Sequence, residues 1–242
     1  MIDFHCHILP GIDDGSSDIN ETMELLTIER THGVTDIVFT PHFYAEFQRG
    51  EKFLEKRQKS YAKTLDAMQS AGMHEINTYL GAEVCYFQGI GRASMVPKLC
   101  IGDSNVMLLE LPFTQWEETL IDYLQALMKK QKIKIIIAHM ERYYDFQKKK
   151  NIWNQVLELP MVFQINTGSF LKKKKMRKLC FRIMENRDNI LLGSDCHNTS
   201  VRLPNLKDGR EVIEKHLGRE TLDRIDAKGT QILREWIKNE EK

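Results

Sequence analysis

Imidazole and carboxylate side chains recur in this 242-residue chain at one kind of place, the end of a short apolar run. The first run ends in His5-Cys6-His7, the second in Thr40-Pro41-His42 and the third in Gly81-Ala82-Glu83. The fourth ends in Leu109-Glu110, the fifth in Ala138-His139 and the seventh in Ser194-Asp195-Cys196-His197. Only the sixth, ending Gln164-Ile165-Asn166, has no obvious ligand. Five imidazoles (His5, His7, His42, His139, His197) with three carboxylates (Glu83, Glu110, Asp195) are too many for one cation. A site for two or three divalent ions is expected, and mixed N/O ligation suits zinc, manganese or iron. A single histidine at a strand end is ordinarily a hydrogen-bonded core residue, and His32, His74 and His216, in helical or loop segments, take that plainer reading. Eight ionisable groups at the same end of six strands are different, because burying them together without cations would be costly.

The elements that must position these groups follow from periodicity. Seven β-like runs cover residues 2–5, 36–40, 77–81, 106–109, 134–138, 162–166 and 190–193. They are nearly continuously apolar, as parallel strands buried on both faces are. Helix-like segments alternate with them at about 18–31, 52–70, 116–130, 146–157 and 172–186, and two more, 206–216 and 220–238, close the chain. Asp18 and Glu21 have capping-box spacing, and Gly33 is placed to end the first helix in a left-handed turn. Residues 85–103 read as an irregular crossover. Alternation of this kind predicts an α/β fold around a parallel sheet. Periodicity alone leaves a doubly wound open sheet possible, but the polar residues at the strand ends favour a closed barrel, where all strand C-termini share one face. Alternation in His-x-His and Asp-x-His sends both ligands one way, so Cys6 and Cys196 are expected to be packing residues.

Bulk properties agree with one α/β domain over 1–242. A formal net charge of +1 provides no global field for nucleic acid or an anionic membrane. The five cysteines are odd in number and form no CxxC pair, so neither a disulfide framework nor a zinc ribbon is indicated. No basic and apolar leader opens the chain and no apolar stretch is long enough to span a bilayer, so a cytoplasmic location is expected.

The opening Asp3-Phe4-His5-Cys6-His7-Ile8-Leu9-Pro10-Gly11-Ile12-Asp13-Asp14-Gly15 resembles the PHP (polymerase and histidinol phosphatase) superfamily. Within it, the chain is similar to the bacterial protein-tyrosine phosphatases of capsule and exopolysaccharide gene clusters. Thr40-Pro41-His42, Gly81-Ala82-Glu83, His139-Met140-Glu141-Arg142, Asn166-Thr167-Gly168-Ser169 and Gly193-Ser194-Asp195-Cys196-His197 extend the resemblance over essentially the whole chain. The resemblance implies a distorted seven-stranded parallel (β/α)7 barrel, PHP-type and TIM-like. It also implies a trinuclear, manganese-favouring centre held by the eight ligands named above. The implied activity is metal-dependent hydrolysis of phosphotyrosine in proteins, by water that the cations make nucleophilic. The implied substrate is a tyrosine kinase controlling capsular or exopolysaccharide synthesis, and a homo-oligomer is left open.

Three further residues are candidates for catalysis. Arg142 and Arg202 lie just past His139 and His197, where a guanidinium fork could hold phosphate oxygens. The resemblance gives them that role; the plainer reading is two solvated surface residues. Asp13 or Asp14 occupies the stretch where the superfamily often carries a further ligand, and Asp14 is favoured near the reacting phosphate. Phe43, Tyr44 and Phe47 could wall an aromatic slot or simply pack their loop. The runs Lys148–Lys150 and Lys172–Lys175 could attract an acidic substrate tail, although charge runs are usually solvated helix faces.

Other readings remain in view. Cys196-x5-Arg202 matches the pattern of cysteine-dependent phosphatases, but no glycine lies between them to form an NH cradle. Histidinol-phosphate hydrolysis would use the same ligands. An amidohydrolase commonly has a modified lysine where Glu110 stands. A metal-bound scaffold that docks a kinase or polysaccharide-assembly protein would need no turnover.

Overall fold

Strands form where β-branched and aliphatic residues run unbroken, and each helix between them offers one apolar face to the sheet. A computed structural model describes residues 1–185 and 187–240, the last six by backbone alone. All strand pairings are parallel. One sheet contains β1 (Ile2–Cys6), β2 (Asp36–Phe39) and β4 (Asn77–Leu80), in that order. The other runs β3 (His42–Phe43), β5 (Glu83–Cys85), β6 (Val106–Glu110), β7 (Lys134–Ile137), β8 (Val162–Asn166), β9 (Ile190–Gly193).

Nine strands among the described residues therefore stand where seven runs are expected. The difference arises at Thr40-Pro41 and Gly81-Ala82, which interrupt two runs before they resume as β3 and β5. Pro41 has no N–H to donate. Hydrogen bonding nevertheless continues across the breaks, from Gly81 N to Phe39 O (2.8 Å) and Glu83 N to Pro41 O (3.0 Å). At the other margin the last strand meets the first: Asp195 N donates to His5 O (2.7 Å) and His7 N to Cys196 O (2.8 Å). Gly193 is required at this seam, since a Cβ there would lie 2.6 Å from the His5 Cβ.

The helices are α1 (Ile19–Thr31), α2 (Gly50–Ser70), α3 (Glu118–Lys130), α4 (Asn151–Glu158), α5 (Gly168–Leu171), α6 (Lys174–Met184), α7 (Leu206–Leu217) and α8 (Arg219–Glu240). Asp18 caps α1, accepting from Asn20 N and Glu21 N, and Gly33 turns with φ +82°. Glu21 reaches back to Ser17 N, one residue short of a closed capping box. The segment expected to be helical over 146–157 begins helix only at Asn151. Before it, Met140–Phe146 forms a 3-10 turn, and Gln147 is held by bonds to Thr114 O and Trp116 N. The segment expected over 172–186 is α6, with Asn186 outside the described residues. No helix among the described residues is long and apolar enough to cross a membrane.

Phe4, Val38, Leu108, Ile136 and Leu191 pack together with Ile232 and Leu233 of α8 in a second core cluster, separate from the main one under the other helices. Gly229 of α8 lies directly against Phe4, so this helix packs on the inner residues of β1. Arg57 of α2 braces the break between β4 and β5. It is buried, and its fork donates to Gly81 O and Lys98 O, both at 3.0 Å. Burial lowers its pKa to about 10. Arg57→Ala strands two buried carbonyls and is expected to cost about 3 kcal/mol in urea unfolding. Arg57→Lys, lacking the fork, should recover only part of that loss.

Candidate metal centre

The strand ends bring the sequence-predicted residues together on one face. His5 and His7 both reach it because the β1 register shifts between Asp3 and Cys6. Phe4 thus joins the inner apolar cluster while both imidazoles still meet, Nε2 to Nε2, at 3.0 Å. Bulges of this kind re-aim side chains beside functional sites. His139 and Asp195 hold backbone φ angles of +29° and +53°. Non-glycine residues adopt such angles at a cost of about 1–3 kcal/mol where the surroundings enforce them.

Glu83 lies at the middle. Its Oε2 is 3.2 Å from His5 Nε2, 3.3 Å from His7 Nε2 and 2.9 Å from His42 Nδ1, while Oε1 is 2.8 Å from His139 Nε2. Asp195 Oδ1 lies 3.7 Å from His5 Nε2 and 3.6 Å from His7 Nε2. Glu110 joins through His139, at 3.3 Å. Asp14 Oδ1 lies 3.5 Å from both His42 Nε2 and His197 Nε2. All eight expected ligands and Asp14 are therefore in one cluster.

The donor set fits cations. Ligands about 2.1 Å from a tetrahedral ion are about 3.4 Å from one another, the range of spacing seen here. Although His42 Nδ1 and Glu83 Oε2 are 2.9 Å apart, neither makes a hydrogen bond of acceptable geometry, and the buried His197 Nε2 is likewise unpartnered. Lone pairs facing one another in this way suit a shared positive centre. Three groups of potential ligand atoms overlap: His5, His7 and Glu83; His42, Glu83 and Glu110; and His7, Asp14, His42 and His197.

Neighbouring groups hold His5, His7 and His197 by their Nδ1 atoms, as outer partners of metal-ligating histidines do. Gln164 Oε1 lies 3.0 Å from His5 Nδ1 and accepts from His139 N at 2.7 Å. Asp13 Oδ2 lies 2.8 Å from His7 Nδ1 and accepts from His42 N at 2.8 Å. His197 Nδ1 lies 3.1 Å from Asp195 O. The sixth strand, without a ligand of its own, thus supplies Gln164 as an orienting group and Asn166, which donates to Asp195 Oδ2 at 2.7 Å. Sequence reasoning missed both, since amides carry no metal signature.

The charges follow this arrangement. Burial would raise the Asp13 carboxyl, but His7 and the N–H groups of His42 and Gly15 lower it to about 2. Burial would lower His139, but hydrogen bonds to Glu110 and Glu83 raise it to about 9. Burial and the neighbouring His7 charge lower His197 to about 3.

Arg142 and Arg202 stand at the rim, each about one-third exposed, and both donate to Asp195, at 3.2 and 2.6 Å. Arg202 also lies 3.8 Å from Asp14. Aromatic rings flank the cluster: Phe113 stacks on His139 (5.6 Å) beneath Arg142, and Tyr44 stacks on His42 (5.1 Å). Phe113 was not among the expected wall residues, although it follows Glu110 by three. Of the expected three, Phe43 is fully buried in the core and Phe47 is exposed, leaving Tyr44. Cys6 and Cys196 are fully buried, as expected of packing residues. The Cys196 thiol faces Glu29 of α1 while Arg202 turns to Asp195, which argues against cysteine-phosphatase chemistry.

Comparison with known proteins places these features in a wider group. A family model described as capsular polysaccharide synthesis, CpsB/CapC, matches residues 1–234. The tyrosine-protein phosphatase YwqE of Bacillus subtilis (strain 168) is 26% identical over 227 residues, covering 91% of this chain and 86% of that one. The tyrosine-protein phosphatase CpsB of Streptococcus agalactiae serotype III (strain NEM316) is 23% identical over 243 aligned residues, covering 96% and 97%. A crystal structure from work on YwqE of Bacillus subtilis and CpsB of Streptococcus pneumoniae, described as unique metal-dependent tyrosine phosphatases, has the same fold. It matches with a TM-score of 0.85 at 23% identity and covers 97% of this chain and 94% of that chain.

Proposed function

Because the chain belongs to the CpsB/CapC capsular polysaccharide synthesis family, we propose that it is a metal-dependent protein-tyrosine phosphatase. The observation that carries this reading is the convergence of His5, His7, Glu83 and Asp195 within hydrogen-bonding to ion-pair distance, with two arginines at their rim. On this reading the two sheets act as one distorted seven-stranded barrel whose ends hold two or three divalent ions, manganese first among them. Its ligands are His5, His7, His42, Glu83, Glu110, His139, Asp195 and His197. Divalent cations, when bound, supply acidified water and offset charge on the phosphoryl oxygens.

The chain's own groups do the rest. Arg142 and Arg202 bind and orient the phosphoryl group through paired hydrogen bonds. Asp14, two-thirds exposed and 3.5 Å from His42 and His197, handles a proton at the reacting phosphate or completes the ligand set. Phe113 and Tyr44 offer ring faces to an aryl leaving group and keep water off its flank. Phenolate, with a pKa near about 10, departs with little help from an acid. The physiological substrate is a tyrosine kinase of polysaccharide export, met in the cytoplasm.

The test is phosphate release from a phosphotyrosine peptide by metal-stripped protein, with manganese, zinc or magnesium added back. Turnover should return with metal, exceed that on phosphoserine peptide and histidinol phosphate, and fall about a hundredfold in Arg142→Ala. Activity on histidinol phosphate alone would sink the substrate assignment. Bound metal without turnover on any phosphoester would point to a scaffold instead.

A further inference from the structure

A groove of about 980 Å³ is lined by residues that follow the candidate ligand His139 and the site residue Asn166 in the chain. One wall is the 3-10 turn Met140–Phe146, which follows His139; the other is α5 and α6, which follow Asn166. Arg142, at the rim of the centre, is separated by one residue from Tyr144, which lines the groove. Tyr144, Leu171, Met176 and Leu179 provide apolar surface, and Leu171 is nearly half exposed.

Around that surface stand Lys172, Lys173, Lys175, Lys178 and Arg182, with Asp145 the single carboxylate in the lining. Asp145 is paired with Lys175 at 2.9 Å. Lys150 adds a further cation, 3.4 Å above the Tyr144 ring, and Arg182 stacks over the same ring at 5.0 Å. In a chain whose net charge is +1, this is a local concentration of positive charge. The surface is concave and apolar at its base, which suits a peptide chain better than a flat lipid surface. Its rim cations call for carboxylates on that peptide.

We propose that this groove docks an acidic segment of the phosphoprotein substrate, on the reading that the candidate metal centre hydrolyses phosphotyrosine. The docked segment raises the local concentration of the phosphotyrosine at the centre, so it acts on KM and leaves kcat alone. Lys150 of the first basic run and Lys172, Lys173 and Lys175 of the second then belong to one surface around Tyr144.

The test compares the full chain with a Lys172→Glu, Lys173→Glu, Lys178→Glu variant, all three being exposed side chains outside the proposed ligand and phosphate-binding set. Substrates are a phosphotyrosine peptide with aspartate and glutamate flanks, the same peptide with serine and glycine flanks, and p-nitrophenyl phosphate. The wild-type protein should show a KM about tenfold lower for the acidic peptide at about 0.1 M ionic strength. The variant should lose that preference with kcat and p-nitrophenyl phosphate turnover unchanged. Fluorescence anisotropy of the unphosphorylated acidic peptide should report binding to wild type, weakened by salt and lost in the variant. Equal KM values in the wild type, or a preference that survives in the variant, would overturn the proposal. So would charge-dependent capture by phosphatidylglycerol vesicles without any peptide preference. Absence of turnover on every substrate would defeat the phosphotyrosine reading, and the anisotropy arm would still decide the groove.

Discussion

Replacing Glu83 with alanine is expected to strip divalent metal from the protein and lower kcat/KM on a phosphotyrosine peptide by at least about a thousandfold. The two Glu83 oxygens meet four imidazoles, His5, His7 and His42 on one side and His139 on the other. Burial would raise this carboxyl, but His5, His139 and His42 hold it well below the usual range. It is therefore an anion set where two of the candidate ion positions overlap. Removing it leaves four buried imidazoles with no common negative partner, so cations are no longer compensated there. Metal content per chain and phosphate release would be measured together. Glu83→Gln, which keeps the volume and loses the charge, separates packing from ligation. A Glu83→Ala protein that kept its metal and turned over within tenfold of wild type would remove Glu83 from the centre.

Metal-free protein is expected to be most stable near pH 6.5 and to weaken on both sides. His139, raised to about 9, contributes stability that is full below its ordinary 6.5 and is lost as pH rises through 9. His197, lowered to about 3, works the other way: its contribution is full above 6.5 and is lost as pH falls toward 3. Asp13, at about 2, adds a further loss as pH falls below its ordinary 3.8. Cations require deprotonated imidazoles, so manganese should remove the alkaline decline and add about 10 °C to the Tm at pH 8. The gain should shrink toward pH 5. Thermal melts from pH 4 to 10, with chelator and with manganese, give both curves. A gain that is flat with pH, or largest at pH 5, would mean that the imidazoles do not hold the metal.

Much of this arrangement is legible before any coordinates, for a physical reason. Parallel strands buried on both faces read as apolar runs, and their C-terminal ends share one face, so polar residues there stand out. That is how His42, Glu110 and Asp195 are found. Pro41, with no N–H for a strand ladder, is a visible signal for the break at Thr40-Pro41, whereas the break at Gly81-Ala82 is not legible. Nor is the late start of α4, where long-range bonds to Gln147 override local helix propensity. Gln164 and Asn166 act across 159 and 29 residues of sequence, respectively to His5 and Asp195. No local pattern marks such partners. Phe43 is different: it follows His42 on a strand, and alternation alone would have turned it to the core once His42 faced the centre.

The seam between β9 and β1 sets a timetable for the living cell. Ser194 N bonds to Asp3 Oδ1, and Asp195 N to His5 O, across almost the whole chain. His5 and His7 leave the ribosome before Asp195 and His197, which follow roughly 10 to 40 s later at ordinary rates of synthesis. A nascent chain therefore exposes half of the candidate ligands long before their counterparts exist. The candidate ligand set is complete only once β9 and the residues after it have been made, so any cation it takes is one that the surrounding compartment offers at that later time. A product truncated before residue 190 would lack the closing strand, Asp195 and His197 together.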